Sequence, residues 1–160
     1  MDGVALVRAS ALHALDRAGA LLALGEVAGL MEARLAPGMF PFGEQIAVAA
    51  GFARRAVLPL AGAGVAETPM AGDAAGLRAA IAAARAEVEA AAGPVPSGVA
   101  HRAGFADLRQ DPLDYAARFA LPNLWFHLSM AYAILRANGV DVGKAEFDGL
   151  HNYPEGFAWE

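Results

Sequence analysis

The chain has 160 residues, of which 57% are hydrophobic and 18% are charged, and its formal net charge is −5 at pH 7. This length suits one domain with a sizeable core, and an acidic chain without a basic cluster is not expected to bind nucleic acid. The absence of cysteine excludes disulfides, thiolate metal sites and a cysteine nucleophile. No apolar stretch has the length of a membrane span, and no basic segment opens the chain as in a signal peptide, so we expect a cytoplasmic protein.

The first predicted helix covers residues 3–24, where apolar side chains recur at helical spacing on one face. Helices are favoured throughout, because alanine and leucine are abundant and β-branched residues are few. His13 projects nearly opposite the apolar face, and we interpret it as a solvated surface histidine rather than a ligand. A short helical segment over residues 27–34 is expected to follow.

A second helix is predicted over about residues 41–60, since Pro41 suits a first helical turn. The ordered turn before it, residues 33–42, carries Phe40 as a side chain that could plug one end of the bundle. Gln45 falls within or at the margin of the apolar side of this helix. Its amide must therefore find hydrogen-bonding partners.

A third helix is predicted over about residues 74–92, with Asp73 as its cap. Charged side chains of the second and third helices are predicted to lie away from the core, and those of the third helix to form weak surface ion pairs. These residues are Arg54, Arg55, Arg78, Arg85, Glu87 and Glu89.

Residues 93–110 break the helical periodicity, and Val99 to Leu108 could form a short β-hairpin across one end of the bundle. His101 and Asp107 could be a ligand pair within it. The favoured interpretation is a flexible loop with solvated side chains.

The most apolar predicted element covers residues 111–139, and we expect this long helix to be the central one. Pro122 lacks a backbone N–H and should kink the helix. Asn123 and His127 lie four residues apart and therefore share one face. Because buried polar groups need partners, we predict that Gln45, Asn123 and His127 converge inside the bundle.

Three interpretations of this polar trio stay open. The first is a satisfied polar cluster that fixes the register of the helices. The second is a small-molecule pocket in which the trio orients a ligand and large apolar side chains form the walls. The third is a divalent metal such as zinc or nickel on His127, which one imidazole and two neutral amides would hold weakly. The predicted walls are Phe40, Phe52, Phe119, Trp125, Phe126, Met130 and Tyr132.

No catalytic signature accompanies these residues. The sequence has no glycine-rich phosphate loop after a strand, no HExxH motif and no serine in a recognisable nucleophile context. His127 could act as a general base only with a substrate cavity and an orienting partner. The sequence therefore leaves open whether the protein is an enzyme.

Two motifs resemble the DUF1993 family of bacterial and fungal proteins. They are ARLAPGMFPF, residues 33–42, followed by Gln45, and FALPNLWFHLSMAYAILRANGVDVGK, residues 119–144. The resemblance covers roughly residues 3–148, with Gly38 at a position where relatives carry an acid. This family is placed in the DinB/YfiT-like superfamily, which implies a four-helix bundle that is commonly dimeric.

Members of that superfamily often hold a divalent metal with three histidines, one on the second helix and two, four apart, on the last. Some transfer groups to or from low-molecular-weight thiols such as mycothiol or bacillithiol. The matching positions here fall near Gln45 and at Asn123 and His127, or else at His127 and Ala131. Only one of the three imidazoles is present, so the resemblance implies a degenerate metal site.

We therefore expect an all-α, up-and-down four-helix bundle over residues 1–148, with a short irregular or β-hairpin insert before the last helix. The tail, residues 149–160, should pack on the bundle or on a partner subunit. The leading hypothesis is a metal-free small-molecule-binding or structural protein that forms a homodimer. The alternatives are a metal-dependent, thiol-transferase-like transferase or hydrolase, and a protein-interaction module. The predicted ligand-binding residues are His127, Asn123, Gln45, Trp125, Tyr132 and Phe40.

Overall fold

Four long helical segments enclose the apolar core of the computed structural model, which describes residues 2–67, 73–154 and 156–157. A two-stranded hairpin stands before the last of these segments, so the predicted bundle with its insert is confirmed. The elements are α1 (Gly3–Val27), α2 (Phe42–Val57), α3 (Ala74–Ala90), β1 (Val99–Ala103), β2 (Ala106–Gln110), α4 (Pro112–Tyr115), α5 (Leu121–Ala137) and α6 (Lys144–Asp148).

The most deeply buried of the described helices is α2, whereas the sequence predicts this for the helix over residues 111–139. Thirteen of its sixteen residues are buried, and it contacts α1, α3 and α5. In α5, by contrast, only one face is buried, and Phe126 lies half exposed on another. The reason is composition: small alanines and glycines let three neighbours approach α2 closely, whereas the large side chains of α5 cover the outside of the bundle.

Residues 28–41 form turns rather than the helical segment that we predicted over residues 27–34. The backbone N–H of Phe42 donates to the carbonyl of Ala33 at 2.8 Å, and that of Gly43 donates to Met31 at 3.0 Å. Pro41, the residue before α2, offers no side-chain cap. The preceding loop therefore satisfies the first N–H groups of α2 with its own carbonyls.

The predicted starts of the third and last helices are confirmed. The Asp73 carboxylate accepts from the backbone N–H of Gly76 at 2.7 Å, and Asp111 accepts from Leu113 at 3.0 Å. Between α4 and α5, residues Ala116–Ala120 form one wide π turn. Pro122 follows as the second residue of α5, directly after this π turn, and has no N–H to donate to the preceding turn.

The predicted hairpin is present and pairs Val99 with Gln110 and Ala103 with Ala106. Gly104, at φ +60°, opens its two-residue turn, a conformation that favours glycine. His101 does not lie in a solvated loop, because its ring packs on Tyr115 and Phe119 with centroids 4.8 and 4.3 Å away. The hairpin therefore closes one end of the bundle beside the π turn.

Arg54 is buried, contrary to the prediction that it lies away from the core. Its guanidinium donates to Glu87 of α3 at 2.9 Å and to the carbonyl of Ala66 at 2.9 Å. The other charged residues of α3 do lie at the surface, where Arg78 pairs with Glu26 and Arg85 with Asp16. An arginine can be buried in this way because several hydrogen bonds replace its hydration.

The chain after α5 folds back on the bundle through α6, which contacts α1. The Phe147 ring lies 5.9 Å from Trp125 and 5.5 Å from Tyr132 between ring centroids. Further along, the rings of Tyr153 and Phe157 stack with centroids 5.0 Å apart. Trp159 lies outside the described residues. Across the described ranges, no helix combines the length and apolar character that crossing a bilayer requires.

Candidate functional site

A glutamine and a histidine meet at the interface of α2 and α5. The Gln45 Oε1 atom lies 2.7 Å from His127 Nδ1, and only 2% of Gln45 and 9% of His127 are exposed. Gln45 is on the first turns of α2, and His127 is near the middle of α5. The predicted contact between these two side chains is therefore present.

The hydrogen bonds around Gln45 fix the tautomer of neutral His127. The Gln45 Nε2 atom donates to the carbonyl of Phe40 at 3.2 Å, which can only accept. The Oε1 atom of the same amide must therefore face His127, and Nδ1 of the imidazole must be the donor. Neutral His127 then carries its lone pair on Nε2.

Three phenylalanines surround the His127 ring. Its centroid is 6.3 Å from that of Phe40, 5.9 Å from that of Phe52 and 5.2 Å from that of Phe126. Phe40 is 48% exposed and Phe126 51%, so these two rings border solvent. Among the described residues, Nε2 of His127 has no hydrogen-bond partner, and it is not one of the fully buried unpaired nitrogens. A free acceptor therefore reaches the surface between aromatic rings.

Burial lowers the pKa of His127 below its ordinary value of 6.5, because the imidazolium loses hydration inside the bundle. The folded protein therefore binds this proton less readily than the unfolded chain does, and neutral His127 is the form at pH 7.

We expect the free energy of unfolding to fall as the pH drops below about 6.5, because the unfolded chain gains a proton that folded His127 still refuses. This loss of unfolding free energy should be complete once the pH lies below the pKa of His127 in the folded protein. Urea unfolding of the wild type and of His127→Phe from pH 7.5 to 5 checks this, since other groups cancel in the difference. An unchanging difference between the two proteins would contradict it.

Asn123 does not join the pair. Its Nδ2 atom donates to the carbonyl of Phe119 at 2.7 Å, one turn earlier on its own helix. No hydrogen bond joins it to Gln45 or His127 in the described part of the chain. Asn123 lies one helical turn from His127, as predicted, but its amide bonds to a carbonyl of the π turn before Pro122 instead.

Trp125 and Tyr132 also lie away from His127, so their placement at the same site was wrong. The Trp125 Nε1 atom points to Ser10 at 3.4 Å, and the Tyr132 hydroxyl points to the carbonyl of Val142 at 3.4 Å. Both side chains project onto α1, α6 and the tail because they are two and five residues from His127 on a helix of 3.6 residues per turn. Tyr132 lines a separate cavity of about 740 Å³ against the tail.

His13 is half-buried, not fully solvated as predicted, with its ring centroid 6.1 Å from that of Trp125. It therefore belongs to the same outer face as Trp125 and lies away from His127. Of the predicted wall residues, Phe40, Phe52 and Phe126 contact the His127 ring, and Phe119 contacts Phe52 at 5.8 Å.

The residues around His127 do not fit a three-histidine metal centre. Gln45, near which the resemblance places a second-helix ligand, turns its oxygen to Nδ1 of His127, whereas the free acceptor of that ring is Nε2. Within the described ranges, no three His, Cys, Asp or Glu side chains are close enough together to hold a metal ion. One imidazole with no charged partner is a poor zinc or nickel site.

A second histidine, the half-buried His101, forms a polar chain that the sequence did not predict. Its Nε2 atom lies 2.6 Å from Gln110 Oε1, and the Gln110 amide donates to Asp114 at 3.1 Å. The register of the hairpin places His101 and Gln110 on one side of it, which alternation along the strands could have indicated. The hydrogen-bonded side chains of His101 and Gln110 lie beside a cavity of about 350 Å³, which is lined by Arg55, His101 and Tyr115, among others.

Comparison with known proteins gives a family and a fold. The sequence matches the family described as "Domain of unknown function (DUF1993)" over residues 7–148. It is similar to a crystal structure of a DinB family member protein from Shewanella denitrificans, at 25% identity and a TM-score of 0.63. That similarity covers 94% of this chain and 91% of the other. No curated protein matches this sequence.

Proposed function

The chain belongs to the DUF1993 family and has a DinB-like fold, and from this premise we propose that it is a small-molecule-binding protein without a metal centre. His127 Nε2 accepts a hydrogen bond from an O–H or N–H group of the ligand. The rings of Phe40, Phe52 and Phe126 hold the apolar part of the same molecule.

The observation that carries this proposal is the orientation of the His127 ring. Gln45 binds Nδ1 and thereby holds Nε2 in one direction, toward the accessible side of the aromatic cluster. An unpaired acceptor among apolar rings gains more from a ligand donor than an acceptor in water does, because the local dielectric constant is lower.

The alternative of a metal-dependent transferase or hydrolase has weaker support. It rests on the resemblance of the fold and on one imidazole whose Nε2 could bind a metal. Two further ligands would have to come from water or from the substrate, which gives low affinity. Catalysis by His127 as a general base needs no metal, but no nucleophile or second titratable group contacts its ring among the described residues.

Phenol and anisole test the proposal, since both fit an aromatic cluster and only phenol can donate a hydrogen bond. We expect phenol to shift the ¹⁵N resonance of His127 Nε2 and to bind about fivefold more tightly than anisole, the value of one net hydrogen bond. Two-dimensional long-range ¹H–¹⁵N spectra of the metal-free protein measure both effects.

The matched variants are His127→Phe, which keeps a ring and removes the acceptor, and His13→Phe on the outer face near Trp125. His127→Phe should abolish the preference for phenol, and His13→Phe should retain it. Equal binding of the two probes by the wild type would contradict the proposal. So would stoichiometric zinc or nickel on His127, found by elemental analysis of protein purified without chelators.

We further propose a homodimer, as the resemblance implies, and a cytoplasmic location. Both stay predictions. The ligand site proposed for His127 does not depend on either of them, because every side chain in it belongs to one chain.

A further inference from the structure

The largest cavity described here, of about 740 Å³, lies between the end of α5, the loop that follows it, α6 and the tail. Its volume is in the range of small-molecule sites in proteins. His127 does not line this cavity, and Tyr132, which does, turns its hydroxyl to the carbonyl of Val142. A molecule bound in the cavity would therefore lie outside the ligand site proposed for His127.

Aromatic rings of the tail line this cavity. The ring planes of His151 and Tyr153 are 20° apart with centroids 5.8 Å apart, and those of Tyr153 and Phe157 are 9° apart with centroids 5.0 Å apart. The three rings are therefore nearly parallel, and the Tyr132 side chain lines the cavity from α5. This lining favours an aromatic ligand, because contacts between aromatic rings stabilise a complex beyond the burial of apolar area.

Charged side chains of both signs line the same cavity. Among its described lining residues, two are basic and two are acidic, namely Arg136, Lys144, Asp141 and Glu146. A ligand with a single charge would be attracted by one pair and repelled by the other. A zwitterion, whose two charges lie close together, can be attracted by both pairs.

The Arg136 guanidinium is accessible and only weakly paired. Its Nη1 atom lies 3.8 Å from Asp141 Oδ1, a distance too long for a hydrogen bond. The Arg136 side chain is 56% exposed and that of Asp141 is fully exposed, so water screens their attraction. Neither side chain has another partner among the described residues. A ligand carboxylate can therefore bind the guanidinium without displacing a strong interaction.

The Glu146 carboxylate is held in place by one of its two oxygens. Its Oε2 atom accepts from the backbone N–H of Gly143 at 2.6 Å, at the start of α6. Its Oε1 atom has no hydrogen-bond partner among the described residues, and it is not one of the fully buried unpaired atoms. Because Glu146 is half-buried and lines the cavity, Oε1 is an oriented and accessible acceptor for an ammonium group.

We propose that this cavity binds a free aromatic amino acid in its zwitterionic form. Arg136 binds the carboxylate of the ligand, and Glu146 Oε1 accepts from its ammonium group. The ring of the ligand packs on Tyr153 and Phe157. The two charges of the ligand thereby meet the guanidinium and the carboxylate oxygen that the described part of the chain leaves weakly paired or unpaired.

Three probes test this proposal, because L-phenylalanine, 3-phenylpropionate and 2-phenylethylamine share the phenyl ring and its two-carbon chain. The second probe lacks the ammonium group, and the third lacks the carboxylate. Chemical-shift titration of the full chain at pH 7.5 should show L-phenylalanine binding about fivefold or more tightly than either of the others. L-alanine, which lacks the ring, should bind at least about tenfold more weakly than L-phenylalanine.

Two charge-removing variants separate the two ends of the ligand. Glu146→Gln keeps an oxygen for the N–H of Gly143, and it should weaken L-phenylalanine and 2-phenylethylamine about fivefold but not 3-phenylpropionate. Arg136→Gln should weaken L-phenylalanine and 3-phenylpropionate but not 2-phenylethylamine. Glu26→Gln and Arg78→Gln, which alter a charged pair that does not line the cavity, should change none of the affinities.

The ring resonances of His151, which lines the cavity, should shift on titration with L-phenylalanine, and those of His127 should not. Equal affinity for the three aromatic probes, an equal loss of all three in both charge-removing variants, or shifts at His127 in place of His151 would each overturn the proposal. The phenol experiment follows His127 Nε2, so its outcome is independent of these measurements.

Discussion

Replacing Phe42 by alanine should cost about 3–5 kcal/mol of unfolding free energy, the largest loss that we expect from one substitution in this chain. Phe42 is the first residue of α2, and its side chain is completely buried. Its ring fills the space beside Gly25 of α1, where an added Cβ would lie 2.2 Å from the ring. The cavity left by alanine borders Gly25 of α1, which has no side chain to fill it, so it should collapse only in part. Urea denaturation at pH 7.5 measures the loss.

The contact between Gly25 and Phe42 allows a control with a second substitution. Gly25→Ala should destabilise the wild type, because the new methyl group collides with the Phe42 ring, and it should be tolerated in the Phe42→Ala background. Phe105→Ala, at a hairpin residue that is 96% exposed, should change the free energy of unfolding by less than about 0.5 kcal/mol. Additive effects of Gly25→Ala and Phe42→Ala would show that the two residues do not pack as described.

The long helices could be predicted from sequence because their signals are local. Asp73 and Asp111 cap helices as their residue types indicate, and the apolar spacing of α1 and α3 identifies their buried faces. The turns at residues 28–41 could not be predicted in this way. Their conformation is set by carbonyls that cap α2, and that requirement becomes visible only when the two helices are placed together.

Side chains whose partners lie far away in the sequence were harder to place. The helical projection of α2 predicts that Arg54 lies away from the core, but Glu87 and the carbonyl of Ala66 make its burial tolerable. Trp125 was placed at the ligand site because aromatic residues line pockets, although helical spacing directs it away from His127. The Gln45–His127 pair was predictable because two polar residues on apolar faces of neighbouring helices had few other partners.

The second large effect that we expect concerns the Gln45–His127 pair. It distinguishes two side chains coupled by a hydrogen bond from two side chains that act independently. Gln45→Leu should cost about 1–3 kcal/mol, because His127 Nδ1–H is left buried without an acceptor. His127→Phe should cost a similar amount, since Gln45 Oε1 then lacks a donor. The double variant removes both polar partners and should be more stable than the sum of the two single losses predicts, by about 1–3 kcal/mol. Urea denaturation of the four proteins at pH 7.5 measures this coupling.

Asn123→Leu is the matched control for this cycle, because Asn123 lies on the same face of α5 as His127 and, among the described residues, its side chain bonds only to the carbonyl of Phe119. The unfolding free energy lost by Asn123→Leu and that lost by Gln45→Leu should add in the double variant to within about 0.5 kcal/mol. Coupling between Asn123 and Gln45 would restore the predicted polar trio and contradict the geometry described above. Absence of coupling between Gln45 and His127 would mean that the imidazole is not held by the amide. Nε2 would then have no fixed direction, and the proposed ligand site at His127 would lose the observation on which it rests.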